Sequence, residues 1–149
     1  MALAQRVGGR RQPGSGNQWH SRGDVKVGNV WLWEAKFTDA PIFSVTNALL
    51  QKIQSEASLA RCSFWGVEVW FRQQDVRLML LCSEYVENRW NTGWSGSVEE
   101  TTTILDTASF RLRPWFDTQL FRLYVFPWGR VFLCGKGVFQ AMQDHKPTT

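Results

Sequence analysis

Residues 24–37 read DVKVGNVWLWEAKF, and the way this stretch folds back on itself decides the rest. β-Branched and aromatic residues flank a Gly28-Asn29 pair, which predicts an antiparallel hairpin. Two registers are open to it. A two-residue Gly28-Asn29 loop sets Val27 opposite Val30 and Asp24 opposite Trp33, leaving Asp24 and Glu34 on different faces of the sheet. A three-residue loop, Gly28-Asn29-Val30, sets Val27 opposite Trp31 and Asp24 opposite Glu34. Only the second separates apolar from polar side chains. Val25, Val27, Trp31, Trp33, Ala35 and Phe37 then share one face, and Asp24, Lys26, Leu32, Glu34 and Lys36 the other. Packing alone therefore predicts the longer loop, and a β-bulge would give the same alignment.

That register has a chemical consequence. Two neighbouring carboxylates repel, and under partial burial the pair takes up a proton or recruits a cation. Magnesium prefers hard oxygen ligands at roughly 2.0–2.1 Å and keeps several waters, so one or two carboxylates plus a phosphate oxygen suit it. Lys36 follows Glu34 by two positions on the same strand face, where an ammonium can orient water or neutralise charge growing on a phosphorane. Asp24 and Glu34 as ligands of Mg2+, with Mn2+ as a substitute, and Lys36 beside them fit hydrolysis of a phosphodiester. An ordinary salt bridge between a carboxylate and Lys36 is the competing account.

Upstream, residues 8–23 read GGRRQPGSGNQWHSRG, whose five glycines, proline and two serines neither sustain a helix nor pair as a central strand. A loop is expected here. Backbone N–H groups of Gly14, Ser15 and Gly16 and the guanidinium groups of Arg10, Arg11 and Arg22 suit a grip on phosphates, and a plain flexible linker is the alternative. Trp19 and His20 can stack on an unpaired base. Equally, Trp19 can pack on the domain edge and His20 stay solvated. The net charge of +4 is concentrated in this region: residues 1–36 hold six basic and two acidic residues, whereas 37–149 hold eleven of each. A solvated basic tail or a nucleic-acid contact would both produce that bias.

Downstream, residues 44–60 predict an amphipathic helix capped by Ser44, with Val45, Ala48, Leu49, Ile53, Ala57 and Ala60 on one stripe and Asn47, Gln51, Gln54 and Ser58 on the other. FWGVEVWF at 64–71 and VRLMLLC at 76–82 read as strands around a polar turn at 72–75. Residues 83–117 lack a clear period and are expected to be an irregular excursion with one short element near Glu99–Leu105. Strands are expected at 118–126 and 130–134 about Pro127-Trp128-Gly129, followed by a short helix at GKGVFQAM. The class is thus α/β: one domain over 1–149, comprising a basic arm (1–23), a core (24–82), the excursion (83–117) and final strands with a helix (118–149).

Length and 44% apolar residues allow one core. No apolar run reaches membrane-spanning length and no signal peptide is visible, so a cytoplasmic, non-secreted chain without a membrane partner is expected. Cys62, Cys82 and Cys134 lie far apart without metal-ligand spacing and sit in apolar runs, as buried thiols do. Of the nine tryptophans, Trp31, Trp33, Trp65 and Trp70 belong to strands and to packing. Trp90, Trp94, Trp115 and Trp128 fall in less regular segments and suggest a protein interface. His145, in a polar tail, has no expected role.

Asp24 followed by Glu34-Ala35-Lys36, after a Gly-rich basic loop, resembles the PD-(D/E)XK nuclease superfamily. The longer run GGRRQPGSGNQWHSRGDVKVGNVWLWEAKFT resembles the N-terminal half of small Holliday-junction-resolvase-like endonucleases of phages and archaea. The resemblance covers about residues 5–60. It implies a restriction-endonuclease-like mixed sheet flanked by helices, a homodimer, and branched or duplex DNA as substrate in a bacterial host cell. It further implies Asp24 and Glu34 as metal ligands, Lys36 as the catalytic lysine, Ser15 as a hydroxyl near the scissile phosphate, and Arg10 and Arg11 on phosphates. Members usually carry an acidic residue on an N-terminal helix; here none precedes Asp24, and Gln5 is the nearest polar candidate. The expected function is a Mg-dependent endonuclease acting on Holliday junctions. Alternatives are a nicking or trimming nuclease in phage DNA processing, or a weakly active or inactive DNA-binding or virion-associated module that uses 83–117 for a protein partner.

Overall fold

The computed structural model describes residues 10–11, 21–27, 30–94, 96, 98–104, 109–114 and 120–145, with the backbone alone for 10–11, 21–27 and 99–100. Ten strands and three helices are described: β1 (Arg10–Arg11), β2 (Ser21–Val27), β3 (Trp31–Thr38), β4 (Phe43–Thr46), α1 (Asn47–Leu59), β5 (Phe64–Phe71), β6 (Val76–Cys82), α2 (Ser83–Asn91), β7 (Val98–Thr103), β8 (Ser109–Leu112), β9 (Phe121–Phe126), β10 (Gly129–Gly135) and α3 (Lys136–Asp144). Eight strands form one sheet in the order β1-β2-β3-β5-β6-β10-β9-β7; β4 and β8 form a separate two-stranded ribbon. The pairs β3–β5 and β7–β9 are parallel and the others antiparallel, so the sheet is mixed, as expected. Among the described residues no helix is long and apolar enough to cross a membrane.

Alternation along each strand gives the sheet two apolar faces. On one, Trp31 stacks on Trp33 at 4.6 Å, and both meet Phe139 of α3, at 5.8 and 5.1 Å, while Tyr85 of α2 lies against Trp31 at 4.6 Å. Trp90 of α2 meets Phe132 on the same side. Gly66 lies beneath Trp33: a Cβ there would come within 2.3 Å of Trp33 Cζ3, so the strand needs glycine at the point where the indole lies across it.

The opposite face carries α1 and the β4–β8 ribbon. Phe110 of β8 stacks on Tyr124 at 4.0 Å, and Trp128 donates from Nε1 to Oδ1 of Asn47 at 2.5 Å while lying 6.5 Å from Trp65. The helix begins where Thr46 Oγ1 accepts from the Leu49 N–H at 3.1 Å. It ends in a Schellman pattern, with Arg61 N–H on the Ser58 carbonyl and Cys62 N–H on the Ala57 carbonyl. Arg61 holds φ 59 there, a position glycine usually takes.

Several expectations are corrected. The helix starts at Asn47, not Ser44, because Val45 alternates with exposed Ser44 and Thr46 in a strand paired to β8. Its buried residues are Asn47, Leu50, Ile53 and Ala57; Ala48 is exposed, Leu49 and Ala60 are half-buried, and Asn47 leaves the polar stripe because Trp128 satisfies its amide. The segment 83–117 is more than an irregular excursion: the short element expected near Glu99–Leu105 is the edge strand β7, and the segment also supplies α2 and half of the ribbon. Trp90, Trp94 and Trp128 pack against the core rather than forming an exposed patch, and Trp115 lies outside the described residues.

Candidate active site

The hairpin adopts the three-residue loop. Val27 opposes Trp31, Lys26 opposes Leu32, Val25 opposes Trp33, and Asp24 opposes Glu34. Opposed positions of an antiparallel pair lie on the same face of the sheet, so Asp24 and Glu34 are same-face neighbours in the register. The β2–β3 phase changes between Gly23 and Ser21, so Ser21 rather than Arg22 opposes Lys36. Arg22 is thus the extra residue of a bulge, a feature that bends and twists a strand.

Glu34 and Lys36 lie on the α1 side of the sheet, the face opposite the Trp31–Trp33 stack. Their side chains form an ion pair, Lys36 Nζ to Glu34 Oε1, at 3.2 Å. Only 2% of Glu34 and 7% of Lys36 is exposed, so the pair sits in a nearly dry setting where water screens it little. In the fold β3 is the third strand from the β1 edge of the sheet, flanked by β2 and β5, and Glu34 and Lys36 are buried.

The basic arm is only partly described. Arg10 and Arg11 form a short outer strand, not a loop, paired to β2 with Arg10 opposite Lys26 and Arg11 opposite Val25. The register therefore separates the two arginines: the Arg10 position shares the face of Asp24 and Glu34, and the Arg11 position shares the face of Trp33. Gln5, Gly14, Ser15, Trp19 and His20 lie outside the described residues.

Magnesium fits the donor set on chemical grounds: hard carboxylate oxygens at opposed strand positions with an ammonium alongside. Among the described residues no three His, Cys, Asp or Glu side chains gather as a metal cage, and the Asp24 side chain is not among them.

A second buried acid escaped the sequence reading. Glu68, opposite Ala35 in the β3–β5 pair, is 2% exposed and lies on the other face of the sheet. Arg77 Nη1 reaches its Oε1 at 3.3 Å and Lys136 Nζ its Oε2 at 3.7 Å. A charged residue inside the apolar run FWGVEVWF was the available signal, since such a residue needs a partner once buried. Two cations neutralise it, which marks it as a structural counter-charge. The thiols behave as small apolar groups: burial pushes Cys82 up to about 12 and raises Cys134 further, and the Trp65 N–H lies on Cys82 Sγ at 3.4 Å.

Comparison of the chain with protein-family models, with curated proteins and with solved structures gave no match.

Proposed function

We propose that the protein is a metal-dependent DNA endonuclease that hydrolyses phosphodiesters at branched DNA, with Asp24, Glu34 and Lys36 at its centre. The observation that carries this reading is the register pair Asp24–Glu34 with the Lys36 ammonium 3.2 Å from Glu34. Mg2+, or Mn2+ in its place, would supply a Lewis acid for the phosphate and activate the attacking water. Glu34 provides carboxylate oxygen on the rigid centre of a sheet strand. Asp24 provides the second carboxylate from the facing position. With a metal ion held by Glu34, the Lys36 ammonium beside it would be placed to neutralise negative charge growing on the phosphate. Arg10, on the same face one strand outward, holds the DNA backbone. A homodimer places two such centres on the two strands of a junction.

Cleavage of labelled four-way junction, nicked duplex and linear duplex tests this, with Mg2+ or Mn2+ and with Asp24→Asn and Glu34→Gln as variants. Both should cut at least about a hundredfold more slowly while still binding DNA. Undiminished cutting by both variants would remove the assignment.

One observation favours a second reading, a DNA-binding module of the same fold with little or no activity. Glu34 and Lys36 already form an ion pair in a nearly closed environment. Wild-type protein that binds junctions but leaves them intact with either metal would select it.

A further inference from the structure

We infer that the outer face of the β4–β8 ribbon is a second contact surface for the backbone of duplex DNA, an inference that rests on the nuclease reading. The ribbon pairs Ser44 with Arg111, Thr46 with Ser109, Val45 with Phe110 and Phe43 with Leu112. Its inner positions are committed to the core: Val45 is fully buried and Phe110 and Leu112 nearly so. Its outer positions are Ser44, Thr46, Ser109 and Arg111, all exposed, and the alternation continues through exposed Arg113.

This surface carries two guanidinium groups and three hydroxyls, and neither strand contains a carboxylate. Arginine and Ser/Thr hydroxyls are the side chains that contact phosphate oxygens in protein–DNA complexes. Two residues along a strand span roughly 6.8 Å, so Arg111 and Arg113 stand about as far apart as neighbouring phosphates of one DNA strand. The ribbon is also tied to the candidate active site. It packs on the sheet face that carries Glu34 and Lys36, and β4 begins at Phe43, five residues after β3 ends at Thr38, which keeps those two strand ends within about 18 Å of each other. The segment 83–117, superfluous to the chemistry, acquires a role as the source of β8.

Binding of a labelled linear duplex, measured across a salt series, tests the inference on wild type, Arg130→Gln, which removes an exposed charge outside the ribbon and the candidate site, and an Arg111→Gln/Arg113→Gln double variant, with circular dichroism to verify folding. Each lost phosphate contact reduces the slope of log K against log salt by about 1, so the double variant should be shallower by about 2 and Arg130→Gln unchanged. Ser44→Glu, which places a negative charge beside Arg111, should weaken binding with its fold intact. If wild type binds and cuts DNA and the double variant keeps its slope, the ribbon is not a contact surface and the nuclease reading stands. If wild type binds no DNA at any salt, both are overturned.

Discussion

Replacing Lys36 with methionine removes a charge from beside a carboxylate that is 2% exposed, and the cost can be worked from the geometry. At 3.2 Å and an effective dielectric constant of about 20, the attraction is about 5 kcal/mol. Methionine retains most of the side-chain volume, so the loss is electrostatic, and stranding one member of a buried pair typically costs about 3–5 kcal/mol. For a chain of this length, about 2–4 °C of Tm accompanies each kcal/mol, so the melting temperature should fall by on the order of 10 °C. Urea unfolding of wild type, Lys36→Met, Glu34→Leu and the double variant gives the coupling directly. The two changes should be non-additive by more than about 1 kcal/mol, because the second removes the charge that the first exposed. If Lys36→Met cost under about 1 kcal/mol, or if the two losses simply added, the pair would be an ordinary screened contact, and the reasoning about a dry site would fail.

Gly66→Ala should lose about 1–3 kcal/mol, since its Cβ would meet Trp33, which has no exposed surface and nowhere to move; an unchanged urea midpoint would contradict this. Arg61→Gly should gain about 0.5–1 kcal/mol by relieving the left-handed backbone at the end of α1, as read by thermal unfolding. Alkaline pH should destabilise the fold. Burial lifts both Cys82, from 9.0, and Tyr85, from 10.0, to about 12. The unfolded chain therefore gives up these protons first, so stability is full below pH 9 and declines between pH 9 and 12; Tyr85→Phe should flatten the decline in urea midpoint. Arg10→Ala should reduce junction binding more than Arg11→Ala, because only the Arg10 position shares a face with Asp24 and Glu34; equal losses would argue against the register as the determinant.

The parts of the fold legible in the sequence are those governed by alternation. Strands β5 and β6 fall at the residues their pattern indicated, and the choice between two hairpin registers followed from segregating apolar side chains. Long-range partners were not legible. Nothing local to Val45 announces that Phe110 will pair with it, so a strand was read as the first turn of a helix. The helix α2 was missed because its sequence, SEYVENRWN, is short and polar overall, and the stripe it buries, Ser83, Val86 and Trp90, holds only two apolar residues. The site was legible as residue identity and register. Its burial was not, because the hairpin pattern does not show that α1 packs back over β3 and β5. The arm shows the same limit: its composition signalled a loop, yet the free edge of β2 recruits Arg10 and Arg11 as a further strand.

The loop between β2 and β3 acts as a phase-setter. Side chains alternate sides along a strand, so removing or adding one residue between Val27 and Trp31 would carry Asp24 to the tryptophan side unless a new bulge restored the count. Changes of two would leave the facing carboxylates where they are. Variation in this hairpin should therefore come in even steps, and an odd step would abolish the centre without altering a single residue that composes it.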